Sequence, residues 1–232
     1  MRLLLTGFEP FGGGRVNPSQ RIVEALAKRP PKGVELSTLV LPVVGGVAPR
    51  RLLGVLTRLR PEAVVMLGES GASAAITLER VAVNLRDYRI ADNAGRSVRD
   101  RPVVRQGPAA YFATLPLRRM QEAMAKAGVP AVLSTSAGTF LCNEVMYAAL
   151  HALRTTDTPC GFIHVPRLPE QVLGERGAPS MDEALTVRGI EEALCCLCGR
   201  RGSSTSGRQG PDRVTLPGPT SPSRRPRRPS VR

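Results

Sequence analysis

The chain has no tryptophan, and its three tyrosines and five phenylalanines make aromatic residues only 3% of 232. Leu, Val and Ala must therefore fill whatever core forms. The same scarcity argues against a reader of single-stranded nucleic acid, which sets stacking aromatics beside its basic residues. No run reaches the ~18 apolar residues of a membrane span. Met1–Leu5 holds only three consecutive Leu before Thr6-Gly7, too short for the apolar stretch of a secretory signal. Five cysteines, an odd number, form no disulfide framework, so a reducing cytoplasm is the expected setting. Cys195-Cys196-x-Cys198 lacks a second ligand cluster, and no metal is expected there. The Gly-rich loop after Leu5 lacks the Gly-Lys-Ser/Thr ending of a phosphate loop. Histidine occurs only twice, at 151 and 164, which narrows any acid–base chemistry to few candidates.

What is present is enough apolar residue, 42%, for one sizeable core. The net charge of +14 is unevenly placed. From Gly199 to Arg232 there are nine Arg and one Asp, a net of about +8, leaving about +6 for the rest. That segment is also rich in Pro, Ser and Gly and poor in apolar residues, so it reads as a disordered tail, 199–232, behind a folded domain at 1–198. Nucleic acid or another anionic partner is conceivable only through this arm.

Short apolar strands alternate with helical patterns along residues 1–198. Strands are expected at Arg2–Leu5, Val34–Leu41, Ala63–Leu67, Ala131–Leu133 and Gly161–Val165. Helices are expected from Asn17-Pro18-Ser19, over Val47–Leu59, from Pro116 to Gly128 and over Met181–Leu197. The alternation predicts an α/β single domain of three layers, α/β/α, around a mixed, mostly parallel sheet. Ligands of such sheets sit beyond the carboxyl ends of the strands. The loops after Leu5, Leu67 and Leu133, and the end of Phe162–Val165, are therefore the places to look. Ile76–Asn84 has the alternation of one strand, with Glu79 in phase with Val81 and Val83. Its carboxylate is either buried, in which case it needs a cationic or N–H partner, or solvated at a strand end. Phe8 and Phe11, set among glycines, either form an apolar cup or plug the core.

Val132–Leu153 runs from a strand through a small polar turn into a helix. Leu141, Val145, Ala148, Ala149 and Ala152 are spaced to make one apolar face. Cys142 falls in the first helical turn, where N–H groups without internal partners and the macrodipole favour negative charge. It is either a buried inert thiol or a nucleophile whose thiolate is stabilised there, with N–H groups at hand for an oxyanion. His151 lies nine residues on, half a turn out of phase and ~13 Å along the axis, so it cannot pair with Cys142. Glu144 points away for the same angular reason. His164, at a strand end, is the one remaining imidazole for a nucleophilic Cys142; alone it reads equally as a core histidine held by a backbone group.

Glu, Cys and His in this order bring a family into view. T-G-F-E-P-F-G-G with V-N-P-S, G-E-S-G-x₄-I-T-L-E-R-V-A-V-N, S-T-S-A-G-T-F-L-C-N-E-V-M-Y and G-F-I-H-V-P-R-L-P-E-Q resemble four motifs of the pyroglutamyl peptidase I family, the pyrrolidone-carboxylate peptidases. The resemblance spans about Met1 to Leu194. It implies a cytoplasmic cysteine peptidase, commonly a homo-oligomer such as a dimer or tetramer, that removes N-terminal pyroglutamate from peptides without metal or cofactor. It places the catalytic roles on Glu79, Cys142 and His164. It also implies that Phe8 and Phe11 sandwich the lactam, that Phe140 and Leu141 line its pocket, and that Asn17 and Arg89 belong to the substrate site. Two positions depart from the pattern. Glu69 stands where the family commonly has a substrate-contacting Gln, and Gly71-Ala72-Ser73 replaces Gly-Gly-Arg. A carboxylate can accept from the lactam N–H, but it donates to the lactam C=O only when protonated. The expected reaction is acyl transfer through a thioester; the competing expectation is an impaired family member that binds a partner through its basic tail.

Overall fold

The structure, a computed structural model, describes residues 1–198. The basic segment 199–232, and with it the expected disorder and the tail-binding reading, lies outside the described residues. The elements are β1 (Arg2–Phe8), α1 (Pro18–Lys28), β2 (Glu35–Leu41), α2 (Val47–Leu59), β3 (Ala63–Ser70), β4 (Ile76–Glu79), β5 (Val81–Val83), β6 (Ala110–Phe112), α3 (Leu117–Lys126), β7 (Ala131–Ser134), α4 (Leu141–Leu153), β8 (Cys160–Pro166) and α5 (Glu183–Cys198). Among the described residues no helix is long and apolar enough to cross a membrane.

Local chemistry sets the helix ends. Asn17 caps α1, its side chain accepting from the Ser19 N–H, with Pro18 in the first turn where no amide donor is needed. α2 stops at Arg60, which takes a left-handed φ of 44° before Pro61. α5 continues as helix through Cys195, Cys196 and Cys198, all three free thiols.

Six strands form one sheet in the order β2-β1-β3-β8-β4-β7, and β5 and β6 form a separate hairpin-like pair. β2, β1, β3 and β8 are mutually parallel; β4 runs antiparallel to β8, and β7 parallel to β4. Strand alternation splits the core. Leu3, Leu5, Val65, Leu67, Ile76, Leu78 and Ile163 face α1, α3 and α5. Leu4, Phe8, Val64, Met66 and Phe162 face α2 and α4. These are the three layers expected from the sequence.

Two expectations need correction. The run Ile76–Asn84 is two strands in different sheets, because the chain leaves the main sheet at Arg80, whose own N–H still bonds to Ser134. The loop after β7 does reach the cavity beside Cys142, through Ala137 and Phe140, although β7 itself runs opposite to β8. α4 is buried nearly all round: Asn143, Glu144, Met146 and Tyr147 are covered along with the apolar positions, while Ala152 is exposed. Its wrapping comes from the excursion 84–109, which lies over it.

Candidate active site

Gly68 on β3 and His164 on β8 are register partners on the face that carries Met66 and Phe162. Cys142, in the first turn of α4, reaches down to this pair. A Cβ placed on Gly68 would lie 2.9 Å from Cys142 Sγ and 2.6 Å from the Phe162 ring. Glycine is thus the residue that lets the sulfur sit against the sheet.

Glu79 ends β4, level with Phe162 in the antiparallel register. It is 2% exposed, the buried alternative of the two expected. His164 Nδ1 lies 2.8 Å from Glu79 Oε1. A carboxylate only accepts, so Nδ1 carries the proton and Nε2 is left for the thiol. The imidazole leans on the Phe162 ring at a centroid distance of 4.8 Å. Burial alone would pull the His164 pKa down. The negative charge and hydrogen bond of Cys142, followed by the hydrogen bond and charge of Glu79, outweigh it and raise the pKa to about 10. Glu79 Oε2 is buried and makes no hydrogen bond among the described residues, so the carboxylate spends its one protein contact on the imidazole.

A cavity of about 150 Å³ opens beside the thiol and imidazole, walled by Phe8, Phe11, Phe140 and Leu141, with Asn17, Glu69 and Arg89 as its polar and charged groups. Every residue expected at the site except Glu79 lines this one cavity, and Glu79 touches it through His164. Phe8 is fully buried against Phe162 at 6.5 Å, whereas Phe11 is half-buried against Phe140 at 6.5 Å. Both alternatives for the pair hold at once: Phe8 closes the core and forms the cavity floor, while Phe11 is a side wall. Asn17 is also structural. Its Oδ1 accepts from Ser19, and its Nδ2 donates to the Glu9 carbonyl at 2.9 Å, tying the loop to α1. Arg89 is exposed at the rim. Glu69 accepts from Gln171 Nε2 at 3.0 Å, and burial raises its pKa against the opposing effects of that bond and of Arg167.

The first turn of α4 also fastens the excursion. Asn143 accepts from Val83 N–H at 2.8 Å and donates to the Val83 and Leu85 carbonyls at 2.9 Å. Glu144, 2% exposed, accepts from the Tyr88 hydroxyl and from Gly46 N–H, and lies 3.6 Å from Arg86 Nη1. The Tyr88 ring meets Phe140 edge-on at 4.9 Å. Sequence reasoning missed this cluster. Buried polar residues beside the candidate cysteine were a signal, but their partners lie 56 to 98 positions away in the chain. His151, as expected, is elsewhere: it bonds to Tyr111 at 2.7 Å.

A thiol at a helix start, an imidazole and a buried carboxylate lie together over one face of an α/β sheet, an arrangement suited to a cysteine-type hydrolase. A family model described as pyroglutamyl peptidase matches residues 1–198. The chain is 48% identical over 195 residues to the pyrrolidone-carboxylate peptidase of Gloeobacter violaceus, covering 84% of this chain and 95% of that relative. It is 46% identical over 197 residues to the enzyme of the same name from Vibrio vulnificus, covering 84% and 92%. Among solved structures it resembles pyrrolidone carboxyl peptidase from Pyrococcus furiosus, with a TM-score of 0.81, 39% identity and coverage of 84% and 97%. It also resembles pyroglutamyl peptidase I of Bacillus amyloliquefaciens, with a TM-score of 0.79, 35% identity and coverage of 83% and 94%. The chain belongs to the pyroglutamyl peptidase family.

Proposed function

We propose that this chain removes N-terminal pyroglutamate from peptides through a thioester formed on Cys142. The observation that supports this most directly is the meeting of Cys142, His164 and a cavity of about 150 Å³ walled by three phenylalanines and a leucine. Pyroglutamate is a neutral five-membered lactam without a free α-amine, so a small apolar slot with few polar groups suits it. Phe8, Phe11, Phe140 and Leu141 hold the ring, Asn17 and Glu69 face its polar edge, and Arg89 stands at the rim where the peptide leaves.

His164 Nε2 takes the Cys142 proton, and Glu79 holds the imidazole in that tautomer and stabilises the imidazolium. The sulfur attacks the pyroglutamyl carbonyl. N–H groups of the first turn of α4, which have no partners within the helix, receive the oxyanion. His164 then protonates the departing amine, and in the second half it activates water that hydrolyses the thioester. The domain is the segment 1–198, it acts in the cytoplasm, and it works as a homo-oligomer. Selective hydrolysis of a pyroglutamyl-coumarin amide over the glutaminyl and prolyl amides tests the substrate. Equal or preferred cleavage of the prolyl amide would contradict it.

A further inference from the structure

We propose that Glu69 recognises the lactam as the neutral acid, so that affinity for the substrate falls as pH rises through the ionisation of Glu69. The inference rests on the reading of the cavity as the pyroglutamyl site.

Glu69 sits at the end of β3, half-buried in the cavity wall beside Phe11 and Ile90. Among the described residues it has no ion pair. Its one hydrogen bond comes from Gln171, in the 3₁₀ turn Pro169–Val172. The Gln171 carbonyl oxygen is already held by the Leu168 N–H at 2.8 Å, so its amide nitrogen is fixed as the donor to Glu69 Oε2. Either form of the carboxyl can accept that bond. Arg167, just past β8, is the nearby cation; its Nη1 donates to both oxygens of Glu175 at 3.1 and 2.9 Å, and its buried Nε has no hydrogen-bond partner among the described residues. It acts on Glu69 through its field alone.

The other charged groups facing Glu69 are few. Arg15 of the N-terminal loop and Glu170 of the 3₁₀ turn share its outer cleft, and Arg89 of the excursion shares the cavity rim. Cys142 of α4 and His164 of β8 lie in the same cavity. Burial is the largest influence on Glu69 and favours its protonated form over the opposing pull of Gln171 and Arg167.

A lactam presents N–H and C=O side by side. A carboxylic acid presents O–H and C=O side by side, so the two close a ring of two hydrogen bonds: Oε1–H to the lactam C=O, and lactam N–H to the carboxyl oxygen. Ionisation removes the donor and sets a carboxylate oxygen against the lactam C=O, leaving that acceptor unpaired in an apolar cavity. Lactam binding in turn favours the proton on Glu69, since linkage is reciprocal.

The test is the dissociation constant of 2-pyrrolidone, a neutral lactam with no scissile bond, measured by NMR on the full chain and on Glu69→Gln from about pH 5 to about pH 9. The ratio of the two constants cancels the pH dependence that the rest of the cavity contributes to both proteins. The native constant is expected to climb, approaching about tenfold per pH unit above the ionisation, while that of Glu69→Gln rises less by the same factor. Parallel curves overturn the proposal. If Glu69→Gln does not fold, Glu69→Ala takes its place in the ratio, and a flat native curve overturns the proposal. Lactam binding with the expected pH dependence, but no cleavage of a pyroglutamyl amide, faults the proposed reaction and supports this inference. No lactam binding by either protein at any pH overturns both.

Discussion

Cys142 carries the proposed reaction, but its neighbours decide whether it can. Cys142→Ala removes only the sulfur from a half-buried site, so turnover is lost while the thermal melting curve stays close to native. Retained turnover would refute the assignment. The same variant tests the electrostatics. The raised pKa of His164 is due first to Cys142 and then to Glu79, against burial. Cys142→Ala therefore lowers it by more than Glu79→Gln does. With only two histidines in the chain, an NMR titration resolves the effect directly. The sign for stability follows. Because the folded value is raised, the imidazolium stabilises the native state fully below about 6.5, and that contribution fades as pH climbs toward about 10. Gly68→Ala forces Cys142 or Phe162 to move, since its methyl would sit 2.9 Å and 2.6 Å from them. Misplacement on that scale costs about 100-fold in kcat, with KM less affected. A kcat within twofold of native would show that the sulfur does not depend on that close approach. Cys142 and His164 stood out in the sequence because each falls at a helix or strand end, whereas Glu79 lay inside an unbroken alternation, and the resemblance joined the three. Gly68 was visible only as one glycine of a loop, because its meaning depends on a sulfur 74 positions away, which packing alone reveals.

At the scale of elements, α4 does two jobs with one turn. Leu141 and Cys142 face the cavity, while Asn143 and Glu144 clamp the excursion that covers the helix. Tyr88→Phe leaves a buried carboxylate oxygen of Glu144 without its hydroxyl donor and costs about 1–3 kcal/mol, read by urea unfolding. A loss below a few tenths would mean that the clamp is not part of the folded stability. Because Tyr88 also packs on Phe140, KM should rise along with the instability. The sequence pattern placed most strands and helices around the main sheet within a few residues, since apolar runs and Asn17-Pro18 are local signals. It did not separate β4 from β5, because alternation runs unbroken through Arg80 and only the tertiary exit of the chain divides them. Nor did it reveal the reversal of β7, which no local residue encodes. β6 was missed for a related reason: three residues pairing with β5 carry too little pattern.

At the scale of the molecule, two cores lie on either side of one sheet, and the proposed chemistry sits where β3, β8 and α4 converge on the α2–α4 side. All six strands of that sheet, the cavity and the family match fall within residues 1–198. A chain ending at Cys198 is therefore expected to keep its melting temperature and its turnover. Loss of either would show that the basic segment contributes to the fold or to assembly, with light scattering separating the two. The composition is the ground for expecting this division, since nine arginines among prolines and serines supply little for a core.

The most direct test of the account is hydrolysis of a pyroglutamyl-coumarin amide by the full chain, with and without iodoacetamide, beside Cys142→Ala. Cleavage that is selective for the pyroglutamyl amide, and is lost both on alkylation and in the variant, is the predicted result. A folded native protein that leaves the amide intact, or cleavage that survives in Cys142→Ala, would contradict it.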